Sequence, residues 1–217
     1  MDKLLEKYLS DIKSALPFYR LIGFLAAMLQ SVASHEVIKL SLFRDMLAWR
    51  FEKFSLDKSG IGGTAICGDI FLGFVICFAG CLIYWTIQKS LIVLLENKLD
   101  IQKRKQDAVV RFSFKCEISD ELKRDRLEWL KRRFEKNIVD AKRWNGFGEL
   151  ACIVGFSLMF FSFYSGIEDF IIGLVFFLLA ILSMSVSLYR YLRYAIPYEI
   201  QLASLYSTPV DDKILLF

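Results

Sequence analysis

Between residues 96 and 149 the chain carries fifteen Lys/Arg and eleven Asp/Glu, and apolar runs long enough to cross a bilayer flank this block on both sides. This alternation constrains the fold more than any motif does. At 55% hydrophobic residues, with twenty Phe and only three Pro, the chain is too apolar for an ordinary soluble domain and suits helices that meet lipid.

The runs divide the chain in order. Residues 1–15 hold a short amphipathic helix, with Leu4, Leu5, Tyr8, Leu9 and Ile12 at helical spacing. Residues 16–95 hold two spans and an extracytoplasmic loop at 35–69. The first span, Leu16 to Ser34, is interrupted by Arg20 and Gln30. A signal peptide cleaved near Ser31-Val32-Ala33 is the alternative reading of that run. The second span, Ile70 to Gln88, is nineteen uncharged residues, about 28 Å of helix and close to the hydrocarbon thickness. Residues 150–189 give a membrane hairpin, Leu150–Ile167 and Phe170–Tyr189, joined through Glu168 and Asp169. Residues 190–217 form a tail that opens on Arg190, Tyr191, Arg193 and Tyr194. Positive charge concentrates in 96–149, so the positive-inside rule places that block and both termini in the cytoplasm of a bacterial inner membrane.

Within the second span Gly73, Cys77 and Cys81 set small side chains on one stripe, which favours close packing of membrane helices. The five cysteines form no CxxC pair and no zinc spacing, so they read as small apolar side chains. No cofactor is implied: Gly60-Ile61-Gly62-Gly63 follows no strand and lacks the final glycine of a dinucleotide fingerprint.

The central block itself has three parts. Residues 97–107 extend the second span with a basic surface. Val110, Phe112, Phe114, Cys116 and Ile118 then alternate with polar residues, which predicts one short β-strand. A lone strand leaves its backbone groups unpaired, so it would pair with another subunit, the tail or a partner chain. From Ser119, a plausible N-cap, a helix is predicted with an apolar stripe at Leu127, Leu130, Phe134, Ile138 and Ala141. That stripe would pack on another helix, the outgrowth of the second span or a partner. Gly146 and Gly148 would permit a bend into the third span. Bases and acids intersperse throughout, which disfavours direct nucleic-acid binding and leaves lipid head groups as the closer electrostatic partner.

No arrangement supports catalysis. His35 is the one histidine, predicted at a membrane interface, and there is no serine elbow, HExxH or phosphate loop. Arg20, Asp69, Lys89, Glu168 and Asp169 fall at span ends, so an ion path is weakly signalled.

The expected protein is therefore an all-α polytopic membrane protein. It has four transmembrane helices and a cytosolic helical stalk that includes a short strand. The lipid bilayer, a second copy of the chain and a cytosolic protein are its expected partners. Such a protein would be non-enzymatic and would sense or signal at the membrane. The alternatives are a membrane-permeabilising effector or channel, and an immunity protein against a membrane-targeting toxin. In size, four spans and a charged stalk, the chain resembles the membrane subunit of the Kiwa anti-phage defence system. That resemblance implies an oligomer working with a cytosolic DNA-binding partner, and no motif carries a functional residue over. The immunity proteins of pore-forming colicins look similar, with shorter cytosolic segments.

Overall fold

The computed structural model describes residues 17–34, 67–99, 120–198 and 201, and all but Gly166 of residues 17–198 within these ranges are helical. Helix α1 is Pro17–Ser34, α2 is Cys67–Leu99, α3 is Asp120–Ser165 and α4 is Ile167–Arg190. A π-helical turn, Tyr191–Ala195, follows α4 directly. Among the described residues, three helices are long and apolar enough to cross a membrane, within Cys67–Leu94, Leu127–Ser165 and Ile167–Tyr198, while α1 is a shorter apolar helix. The strand predicted at 110–118 lies outside the described residues, as do the helix at 2–14 and residues 35–66 of the loop expected at 35–69, whose last three residues instead open α2.

Local chemistry accounts for the helix ends. Pro17 opens α1, where its missing N–H would have no intrahelical acceptor. Gly166 closes α3 with φ of 109°, a backbone state that a side chain disfavours, and its N–H donates to the Ser162 carbonyl at 2.9 Å. The hairpin break expected at Glu168-Asp169 therefore falls at Gly166. Both acids lie in the first turn of α4, where the positive helix N-terminus favours them. The boundary expected between residues 149 and 150 is likewise internal to one helix. Helical hydrogen bonding runs through Gly146 and Gly148 without a break.

The described residues divide into two compact units, and α2, α3 and α4 each contribute a stretch to both. One comprises residues 17–34, 67–86 and 146–183 and is called the apolar unit. The other comprises 87–99, 120–145 and 184–198 and is called the charged unit.

The apolar unit has small and medium side chains inside. Its core holds Ala27, Ala33, Ile76, Leu158 and Phe161, with Leu72, Val154, Ile172 and Phe176 packed around them. Glycine brings α3 and α4 together: a methyl group added to Gly155 would sit 2.8 Å from the Gly173 carbonyl oxygen. Large apolar side chains point outward, among them Phe71 (70% exposed), Phe163 (89%) and Leu178 (59%).

The charged unit is built the other way. Ile92, Ala141, Leu188, Tyr191, Ala195 and Ile196 are buried together, and Leu91, Phe134, Ile138 and Leu192 pack against them. Glu128, Arg132 and Arg143 lie on its surface, with Arg132 and Glu128 paired at 2.6 Å. Asp140 accepts from Arg190 at 3.0 Å, and the Ser187 hydroxyl donates to the Ala141 carbonyl at 2.8 Å. These two bonds tie α3 to α4 beside the apolar core.

Candidate functional site

The interior of the apolar unit contains polar groups that a lipid-facing helix could not carry without partners. Two sets occur, one around Glu149 and one around Asp69.

In the first, Arg20 Nε donates to Glu149 Oε1 at 2.8 Å. The Glu149 side chain is 9% exposed and the Arg20 side chain 49%, so the carboxylate is inside and the guanidinium reaches outward along its stem. The pair depends on α1 lying close to α3. Gly146 makes this possible, since a methyl group there would collide with the Tyr19 ring. Three residues after Glu149, Cys152 is fully buried and its thiol faces the Gly80 carbonyl at 3.6 Å.

In the second, the Ser31 hydroxyl donates to Asp69 Oδ1 at 2.6 Å, joining α1 to the first turn of α2. Asp69 is 2% exposed. Ser31, Ser34, Asp69, Leu72, Phe161 and Tyr164 border a cleft of about 440 Å³. Two further buried oxygens, Gln30 Oε1 on α1 and Ser157 Oγ on α3, have no hydrogen-bond partner among the described residues. Unsatisfied buried oxygens are rare, because each forfeits its hydration on burial. Asp169 is also fully buried.

The residues singled out from sequence fall in three places. Gly73 and Cys77 are buried in the apolar unit. A methyl group on Gly73 would reach the Met28 backbone at 3.0 Å, and the Cys77 thiol lies 3.7 Å from the Arg20 carbonyl. Cys81 is partly buried. The small-residue stripe of α2 is thus the face that meets α1. Leu130, Phe134 and Ile138 are inside the charged unit, with Leu130 at 1% exposure and Phe134 and Ile138 against the core that includes Ile92. Leu127 is partly buried. The docking role expected of Leu127, Leu130, Phe134 and Ile138 therefore falls largely on side chains that the chain itself covers. A partner engaging them would have to displace that core. Val110, Phe112, Phe114 and Ile118 lie outside the described residues.

Sequence reasoning placed Asp69 at a span end and passed over Glu149 and Ser31. A signal for Asp69 was present. It stands four residues before Gly73, so Asp69, Gly73, Cys77 and Cys81 form one stripe of successive helical turns. Glu149 carries no such mark, because its burial depends on which residue of α1 comes opposite.

With this geometry in hand, comparison of the chain with protein-family models, with curated proteins and with solved structures finds no match.

Proposed function

We propose that this chain is a non-enzymatic, oligomeric four-span protein of the bacterial inner membrane. It senses or signals there and docks a cytosolic protein through residues 96–149, in a role such as anti-phage defence. Both termini and that block lie on the cytoplasmic side.

The observation that carries the reading is the reversal of burial between the two units. Outward Phe and Leu in the apolar unit suit lipid, and outward charge in the other suits water. The fourth span is supported by α1, whose 18 residues make about 27 Å of helix and which shares the apolar unit with the three longer helices. With the 127–138 stripe occupied, docking is assigned to the outward face of α3. There Trp129 is 51% and Val139 45% exposed, and the Arg133 guanidinium lies 5.3 Å from the centre of the Trp129 ring. An exposed aromatic beside arginine is the kind of side-chain pair that anchors protein interfaces.

Affinity purification of the full chain in mild detergent tests the proposal. A co-purifying soluble chain lost on the double substitution Trp129→Ala and Val139→Lys, with the fold intact, is the expected result. Retention of that chain by the variant sinks the assigned face. Reporter fusions within 97–107 and after residue 201 should both report the cytoplasmic side. A periplasmic report from either would remove the four-span topology.

A second reading, a channel or membrane-permeabilising effector, is favoured by the buried polar set Arg20–Glu149, Gln30, Ser157 and Asp69. Reconstitution in planar bilayers separates the two, because a pure docking protein leaves the bilayer silent.

A further inference from the structure

The outward stripe of α4 runs into an arginine held against two tyrosine rings. Leu178, Leu182 and Tyr189 stand at helical spacing on one face and are 59%, 60% and 50% exposed. From Phe170, near the start of α4, to Tyr189 the helix rises about 29 Å, close to the hydrocarbon thickness of a bilayer. An exposed tyrosine at that height takes the place of an interfacial aromatic, and the turn after it falls at head-group level.

That turn departs from the α-helix. Residues five apart on an α-helix lie about 140° apart around its axis, so Tyr189 and Tyr194 would face away from each other. In the π-helical turn Tyr191–Ala195 the Ile196 N–H donates to the Tyr191 carbonyl, five residues back, which widens the helix. The Tyr189 and Tyr194 rings then meet edge to face with centres 6.4 Å apart. The Arg193 guanidinium lies 5.4 Å from the Tyr189 ring centre and 5.9 Å from that of Tyr194, and it donates to the Tyr189 hydroxyl. Single π turns within α-helices are rare and frequent at functional sites. Charge selects the partner. Asp140 takes Arg190 and Glu128 takes Arg132, whereas no carboxylate pairs with Arg193 among the described residues. Arg193 is exposed, and the Tyr189 hydroxyl engages only one of its five N–H groups, which leaves a planar fork suited to phosphate oxygens. With no carboxylate there to receive an ammonium, a head group of net negative charge fits better than a zwitterionic one.

We propose that Tyr189, Arg193 and Tyr194 bind the phosphate of an anionic phospholipid. Arg193 supplies the charge and the donors, and the two rings hold its side chain at head-group level. The inference rests on α4 crossing the bilayer, as the four-span reading has it, and is independent of partner docking through Trp129.

Native mass spectrometry of the full chain in detergent tests the site, with phosphatidylglycerol and phosphatidylcholine titrated in equal amounts. The first lipid bound should be phosphatidylglycerol, with a preference of about fivefold or more. Arg193→Gln should weaken phosphatidylglycerol by about fivefold and bring the preference close to one. Arg143→Gln removes the same charge from another exposed position and should leave the preference within about twofold of the parent. Tyr194→Leu, also at an exposed position, should weaken phosphatidylglycerol by about twofold or more and leave phosphatidylcholine unchanged. Equal losses in the two arginine variants mean diffuse attraction and overturn the proposal, as does a parent that binds both lipids alike. A co-purifying protein that is lost on Arg193→Gln, with lipid preference unchanged, gives the face to a protein and overturns it too. Carbonate washing of membranes separates this from the underlying reading. A chain released by the wash removes the α4 span and the site with it, whereas a retained chain without lipid preference removes the site alone.

Discussion

Phe71, Phe74 and Leu178 face outward in the apolar unit, whereas Ile92, Leu130 and Leu188 are inside the charged unit. Large apolar residues such as these thus turn outward in one region and inward in the other, while buried polar side chains occur in both: Gln30, Ser31, Ser157 and Asp69 in the apolar unit, and Gln88, Asn145 and Ser187 in the charged unit. Water would drive the burial of Ile92, Leu130 and Leu188, since burying apolar surface stabilises by about 25 cal/mol per Å². In lipid that driving force between helices vanishes. Close backbone approach and internal hydrogen bonds then decide what goes inside, and glycine, alanine, serine and cysteine permit both. On the proposed topology, outward Phe and Leu in the apolar unit match lipid and the apolar core of the charged unit matches water.

Leu130→Ala bears hardest on this contrast. Its side chain is fully buried in a core of the aqueous type, so a loss of about 2–5 kcal/mol is expected, read as a lowered unfolding midpoint of the purified protein. A loss below about 1 kcal/mol would show that the charged unit has no such core.

Leu178→Lys comes next. Outward at the middle of a lipid-facing α4, lysine should oppose insertion by about 3 kcal/mol and shift protein from the membrane fraction. Val139→Lys, equally outward in the charged unit, should stay within about 0.5 kcal/mol of the parent. Equal tolerance at the two positions would break the comparison.

Gly155→Val tests close packing inside the apolar unit. The added side chain meets the Gly173 carbonyl, and overpacking should cost about 1–3 kcal/mol, measured by unfolding in mixed micelles.

The ion pairs give the smallest effects. A double-mutant cycle on Arg20→Ala and Glu149→Gln should show coupling of about 1 kcal/mol, limited because the guanidinium is half exposed to solvent. The same cycle on Glu128 and Arg132, exposed on α3, should give about 0.3–0.5 kcal/mol. Coupling no larger at Glu149 than at Glu128 would mean that the carboxylate's burial adds nothing.

Much of the fold was legible. The apolar runs at 70–88 and 170–189 lie within helices, the run at 150–167 is helical except at Gly166, and the cap expected at Ser119 lies outside the described residues. The hairpin break was misplaced because an acidic pair looks like a loop, yet acids also suit a helix N-terminus. Gly166 carries the positive φ that the turn requires. The site was less legible. The polar partners Ser31 and Asp69 are 38 residues apart, and Arg20 and Glu149 are 129 apart. No local pattern links residues at such separations.

By itself the sequence determined where helices form, which are apolar enough for a bilayer, and where charge collects. Run length, capping residues and side-chain transfer energies are local properties. Only the tertiary structure decided which face of each apolar helix turns inward. A segment that is apolar around most of its circumference, as 70–83 is, offers weak periodicity to read. Contacts such as Gly73 with Met28 and Glu149 with Arg20 settle the matter, and they also determine that Asp69 borders a cleft rather than a surface.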